Sequence, residues 1–286
     1  MKKRNIVLLV SALAMVVFFV AAVVWSFPIW HHAFLLNRIA KSDSIGCQIQ
    51  MMAGKESLSK EQEQFLQGLS WALGADPDAV LDWKANGRIC KEQVYAEIFC
   101  AEFEEPITEL YITKDEVFIN VRMLYEAIQE NIASEHPLFG SLLPEWKYGT
   151  CISLRQLEEL FGVNLKEMFK QHDFAEIQQQ NFWQYLILLT RMERHRTEDG
   201  NWQFETVWND YQLVLRSDNK DQGAKIAVSG CVKQESQSIT SFSTVLTSEE
   251  RYPLKIPDSV MQEEEIEQFQ MLWELVRNFT EGRTQD

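Results

Sequence analysis

Residues 6–25, IVLLVSALAMVVFFVAAVVW, constrain this chain more than any other stretch. They carry no charge, and the uncharged run continues to Trp30. A helix rises about 1.5 Å per residue, so twenty residues match the roughly 30 Å hydrocarbon core of a bilayer. Lys2, Lys3 and Arg4 precede the run, and Trp25, Phe27 and Trp30 follow it, where an aromatic belt belongs. The run outlasts the apolar core of a cleaved signal peptide and ends in bulky residues instead of a small-x-small cleavage site. The sequence therefore predicts an uncleaved signal anchor over residues 6–30 behind a cytoplasmic tail, residues 1–5. It places a single-pass protein in the cell membrane, with the remainder outside the cytoplasm. Ser44-Ile45-Gly46-Cys47 has the look of a lipobox, but it lies too far beyond the apolar run to be processed at the bilayer. The next most apolar stretch, residues 182–192, is too short to cross and reads as a buried helix.

Charge narrows the partners. The chain holds 27 basic and 42 acidic residues, a net −15, and Lys2, Lys3 and Arg4 are the only charges before residue 31. The acidic balance argues against nucleic acid, which needs a basic surface. It also disfavours a domain lying flat on an anionic bilayer. With 46% hydrophobic and 24% charged residues, wholesale disorder is excluded. Five cysteines, Cys47, Cys90, Cys100, Cys151 and Cys231, include no C-x-x-C, and the odd count leaves at least one thiol outside any pairing within the chain. If residues 88–103 form one extended strand, Cys90 and Cys100 stand about 33 Å apart and cannot bond. Other pairings stay open.

Periodicity places the elements. Ile45, Cys47, Ile49 and Met51 alternate with polar residues as in a half-buried strand. Ser57 or Ser59 opens a helix that Gly74 stops, and Asp76-Pro77-Asp78 starts a turn or short helix ending near Asn86-Gly87. One long strand over 88–103 follows, then strands 107–113 and 116–121 around a turn at Lys114-Asp115. Helices are expected over 123–132, after Ser153 with Gln156 as a capping box, after Asn164, and over 174–195. Strands return at 202–208, 211–216, 224–232 and 238–246. Ser259 with Gln262 opens a last helix with Glu263, Glu264 and Glu265 at its positive end. The resulting fold class is α+β: a curved antiparallel sheet packed on helices in one domain, residues 44–280, between a juxtamembrane segment 31–43 and a tail 281–286.

Two stretches, 110–128 (LYITKDEVFINVRMLYEAI) and 224–272 with its LKIPDSVMQEEEIEQFQML, resemble the lipoprotein-carrier superfamily of LppX/LprG-like lipoproteins. That resemblance implies a half-barrel sheet wrapped over helices that shelters acyl chains. Residues 117–121 and 152–162 are also similar to segments of membrane-anchored proteins of Gram-positive bacteria. Neither resemblance carries a catalytic motif, and the chain departs from the carriers in its anchor and in the helix at 57–73.

No pattern for chemistry emerges. His172, Asp173 and Glu176 could place two metal ligands one turn apart, but a solvated helix start explains them better, and no metal or other cofactor is expected. G-x-S-x-G, Walker A and G-x-G-x-x-G are absent from the sequence. The acidic pairs at 104–105, 158–159 and 263–265 read as solvated helix starts and faces. The aromatic residues outside the anchor are first of all core. A sharper reading lines an apolar ligand cavity with Phe182, Leu186, Leu189, Phe269 and Trp273. The chain is thus expected to be no enzyme but a binding protein. It either shelters a lipid or other hydrophobic ligand near the membrane, or engages a partner membrane protein through a domain with a packed core. An open apolar cavity would favour the first, and a filled core with a large exposed apolar patch the second.

Overall fold

The computed structural model describes residues 25–55, 58, 60–90, 93–100, 103–114, 116–135, 137–161, 180–208, 211–217, 224–234, 237–250 and 254–271. Its frame is one antiparallel sheet in the order β6-β5-β4-β3-β2-β1-β11-β10-β9-β8-β7. The strands are β1 (Ser44–Ala53), β2 (Asp82–Cys90), β3 (Gln93–Cys100), β4 (Thr108–Ile112), β5 (Val117–Asn120), β6 (Cys151–Ser153), β7 (Glu193–Arg196), β8 (Trp202–Trp208), β9 (Tyr211–Ser217), β10 (Lys225–Gln234) and β11 (Gln237–Glu249). Each run, β1 to β6 and β7 to β11, pairs strands that are neighbours in sequence, the cheapest way to close a ladder. β1 and β11 then pair along the whole of β1, from Ser44 opposite Glu249 to Ala53 opposite Thr240. That ladder joins the runs, and the sheet stays open with β6 and β7 as its edges.

Side chains alternate across a strand, so register assigns each to a face. Ile45, Ile49 and Met51 share a face with Leu246 and Phe242 of β11, Ile226 and Val228 of β10, and Ile89 and Trp83 of β2. The opposite face carries Gln48, Gln50, Asn86, Arg88, Thr247 and Lys225. Helices cover the apolar face: α1 (residues 25–40), α2 (Lys60–Leu73), α3 (Val121–Glu135), α4 (Pro137–Gly140), α5 (Leu154–Phe161), α6 (Phe182–Thr190) and α7 (residues 263–271). They make three buried clusters. α1 and α6 bring Ala33, Ile39, Tyr185 and Leu189 onto Phe204, Leu215 and Ile226. α2, α3 and the 3-10 turn Ala79–Leu81 bring Leu73, Val80, Ile128 and Ile132 onto Cys100 and Ile107. α5 and α7 close Leu157 and Phe269 over Ile152, Val121 and Met261.

Local chemistry sets the helix ends. Gly74 stops α2 at φ +67°, a conformation glycine tolerates best; its N–H donates to the Trp71 carbonyl at 3.2 Å, and Asn131 of α3 donates to the last-turn carbonyls of Trp71 and Ala72 at 3.1 Å. Ser153 and Gln156 form the expected capping box: the Ser153 N–H donates to Gln156 Oε1 at 2.8 Å, and the Gln156 N–H to Ser153 Oγ at 3.2 Å.

Several expectations are corrected. The fold class is not α+β. Among the described residues it is a large antiparallel sheet of eleven strands with few helices. The expected long strand over 88–103 is two, β2 and β3, whose residues pair from Trp83 opposite Cys100 to Cys90 opposite Gln93. The expected helix over 174–195 is much shorter. Residues 174–179 lie outside the described ones, Asn181 caps α6, and the chain leaves the helix at Arg191 to form β7. β7 pairs with β8, from Glu193 opposite Glu205 to Arg196 opposite Trp202, so ladder bonds replace helical ones there. Between Asp76 and Asn86-Gly87 the helical structure is limited to the 3-10 turn Ala79–Leu81, because β2 begins at Asp82. The last helix is not capped by Ser259. The Gln262 N–H donates to Glu265 Oε2 at 2.8 Å, while Ser259 is held by Thr150. The helix expected after Asn164 lies outside the described residues.

The membrane anchor is corrected as well. Among the described residues no helix is long and apolar enough to cross a membrane. Residues 1–24, most of the expected span, lie outside the described ones, and 25–30 belong to α1, which carries Ala33, Ile39 and Ala40 into a protein core. The single-pass topology, and the membrane placement drawn from it, are therefore not supported.

Candidate functional site

The most distinctive surface is built by the outer sides of α1 and α6. Both helices bury one stripe in the first core: Ala33, Ile39 and Ala40 on α1, Tyr185 and Leu189 on α6. An amphipathic helix so placed should turn polar residues outward. Here Trp25, Phe27, Trp30, Phe34, Trp183, Ile187 and Leu188 point outward instead, each at least 45% exposed. Trp30 joins the helices, its ring 5.4 Å from Phe182 and 6.1 Å from Trp183. The Arg194 guanidinium of β7 lies 4.4 Å from the Trp25 ring centroid and 5.2 Å from that of Trp202, and its Nη1 donates to the Trp25 carbonyl. Arg38 and Arg191, one turn beyond Phe34 and Ile187, are both exposed at the margin.

Beneath this face, His32 is almost fully buried. Its Nδ1 lies 2.8 Å from the Pro28 carbonyl, and its ring centroid lies 4.6 Å from that of Phe204. Burial pushes its pKa down to about 4, outweighing the backbone hydrogen bonds. It is a neutral core residue at ordinary pH.

The residues expected to line one cavity fall in different places. Leu189 is buried in the first core with Phe182 and Leu186 packed against it, whereas Phe269 belongs to the third. Trp273 lies outside the described residues. Two shallow clefts, of about 440 and 530 Å³, open instead on the helix-free face of the sheet. The first is lined by Gln50, Met52, Ser229, Ser241 and Ser243, the second by Gln48, Asn86, Arg88, Glu97 and Lys225. Arg88 pairs with Glu249 in the second at 2.9 Å.

One polar cluster has the composition of an active site. Glu109 of β4, 4% exposed, accepts from Tyr111 at 2.6 Å, Asn120 at 2.8 Å and Tyr95 at 2.9 Å, and from Lys255. Burial alone would raise its pKa, but the four donors outweigh that and bring it down to about 2. A carboxylate so saturated is a poor proton acceptor. What it does is clamp the segment around Lys255 to the sheet. The sequence offered no signal for it, because its cation lies 146 positions away.

Among the described residues no group of three His, Cys, Asp or Glu side chains is arranged to hold a metal. His172 and Asp173 lie outside them, as does His136, and His195 is exposed beside Glu193. All five cysteines are free thiols. Burial pushes the thiols of Cys47 and Cys151 up, away from the reactive thiolate.

Fold and surface together define a class: an open antiparallel sheet, backed by helices on one face, whose first and sixth helices present an aromatic surface with an arginine margin. The chain matches no protein-family model and no curated protein sequence.

Proposed function

We propose that this is a non-catalytic binding protein that engages its partner through the α1–α6 aromatic face while its own core stays filled. The carrying observation is the outward set of seven large apolar side chains on the two helices, with Trp30 of α1 in ring contact with Trp183 of α6. Soluble chains rarely expose a contiguous patch of this kind without a use for it. Trp, Phe and Arg are also the residues that concentrate at the centre of binding surfaces. The reading is supported by the buried cluster beneath this face, where Ala33, Ile39, Tyr185 and Leu189 pack on Phe204, Leu215 and Ile226.

A second reading, in which the protein shelters a hydrophobic ligand as its carrier-like segments imply, has its own support. Ile49 and Met51, 38% and 48% exposed, stand on the otherwise covered apolar face of the sheet. Native mass spectrometry of the full chain, released from detergent and then incubated with a lipid extract, separates the two. An apo mass throughout supports the interaction reading. A saturable one-to-one lipid adduct that Ile49→Trp removes would move the function to a sheltered ligand.

A further inference from the structure

Resting on the reading of the α1–α6 face as a docking surface, we propose that its partner is a lipid–water interface, with the two helices lying at headgroup depth and acidic lipid preferred. Nothing in this contact requires a segment that crosses the bilayer.

Three observations point there. The first is spacing. Trp30, Phe34 and Arg38 recur every fourth residue on α1, and Trp183, Ile187 and Arg191 every fourth residue on α6, ending at its C-cap. Each stripe therefore runs from a tryptophan through an apolar residue to an exposed arginine. That is the pattern of an interfacial helix, where an aromatic ring sits among the headgroups and a long basic side chain reaches their charges.

The second is charge. The chain carries a net −15, yet residues 25–40 hold Arg38 and no acidic residue. Residues 180–198 hold Arg191, Arg194 and Arg196 against Glu193 and Glu198. The acidic excess lies elsewhere. At physiological salt, charges more than about 8 Å away are largely screened, so the bilayer meets the local arginines and not the distant carboxylates. The expectation that net charge keeps this chain off anionic lipid thus fails at this one face.

The third is the arginine already stacked on the aromatic surface. Arg194 lies over Trp25 and Trp202 and is held by the Trp25 carbonyl, which fixes a cation at the level of the rings. A second copy of the chain fits less well, because a self-complementary contact would bring like arginines together.

The test places the photoreactive p-benzoylphenylalanine at Trp183 or Ile187 in the full chain, and at Val207 as a control. Val207 is 68% exposed, on the helix-free face of the sheet. Each protein is reconstituted with phosphatidylcholine or phosphatidylcholine–phosphatidylglycerol vesicles, irradiated and read by mass. The expected result is a phospholipid adduct at 183 and 187 several-fold above that at 207, and larger in the mixed vesicles. Arg191→Glu should reduce it several-fold there, and an unchanged yield overturns the preference for acidic lipid. A chain-to-chain cross-link without lipid adduct overturns the lipid partner but leaves the docking surface standing. Equal, background-level adducts at all three positions overturn both.

Discussion

Glu109 and His32 meet burial in opposite ways. Glu109 keeps its charge because Tyr95, Tyr111, Asn120 and Lys255 all donate to it, while His32 is held neutral beside Phe204. Removing the carboxylate strands the buried donors of Tyr111 and Asn120, and unmade buried bonds cost more than made ones give. Glu109→Ala should therefore destabilise the fold by about 2–4 kcal/mol in urea unfolding. Lys255→Met should cost far less, because the lysine side chain is about half exposed. A loss as large as that of Glu109→Ala would show that the ion pair, and not the hydrogen-bond network, carries the clamp. The two groups also set the acid response. His32 has a folded pKa of about 4 against 6.5 unfolded. Its contribution is intact above 6.5 and lost as pH falls from there towards 4, about 3 kcal/mol in all. Glu109, at about 2 against 4.5, acts lower, losing its contribution as pH falls from 4.5 towards 2. Stability measured from pH 7 to 4.5 should therefore fall in the parent and stay nearly level in His32→Leu. Neither residue could be recognised from sequence, since each role depends on distant neighbours: Lys255 for Glu109, Phe204 for His32.

Elements whose ends are fixed by nearby residues were readable, and those fixed by distant pairing were not. The stop at Gly74 and the box at Ser153 and Gln156 follow from chemistry within a few residues, and both stand as expected. The division of β2 from β3 does not, since residues 88–103 are rich in strand formers and hold no glycine or proline between Cys90 and Gln93. The apolar run at 182–192 gave a helix, but not that Arg191 would end it so that β7 could pair with β8. At Gly74 a further constraint was invisible: a Cβ there would lie 2.2 Å from Asn131 Oδ1. Gly74→Ala must therefore adopt a strained φ and also displace the side chain that caps α2. It should cost about 2 kcal/mol or more, against about 1 kcal/mol for Asn131→Ala, which removes the cap alone. The double variant should cost less than the sum of the two, because without Asn131 the clash disappears. Strict additivity in chemical denaturation would show that the clash is not what penalises alanine.

For the whole molecule, the decisive contact is the β1–β11 ladder, which ties residues 44–53 to residues 240–249. Most of the strands were visible singly, yet no local signal says which of them meet, so helices near one face suggested an α+β domain. Pairing at that separation is slow to form and entropically dear, so β1 and β11 must recover its cost from the strands on either side. That argues for one cooperative unit instead of two halves joined at a seam. β1 and β11 lie mid-sheet with ladders on both sides, whereas β6 and β7 are edges of three and four residues. Native-state hydrogen exchange should then show the amides of β1, β2, β10 and β11 opening only with global unfolding, at one shared free energy. Those of β7, and of β6 where it is not covered by the Ser259–Met261 segment, should open locally at lower cost. If the β1–β5 amides instead shared one opening energy and the β8–β11 amides a clearly different one, the ladder would be a seam between two independent domains. The aromatic face of α1 and α6 would then belong to the second alone, because its helices pack on Phe204, Leu215 and Ile226 and touch the first run chiefly through Ile45 and Ile89.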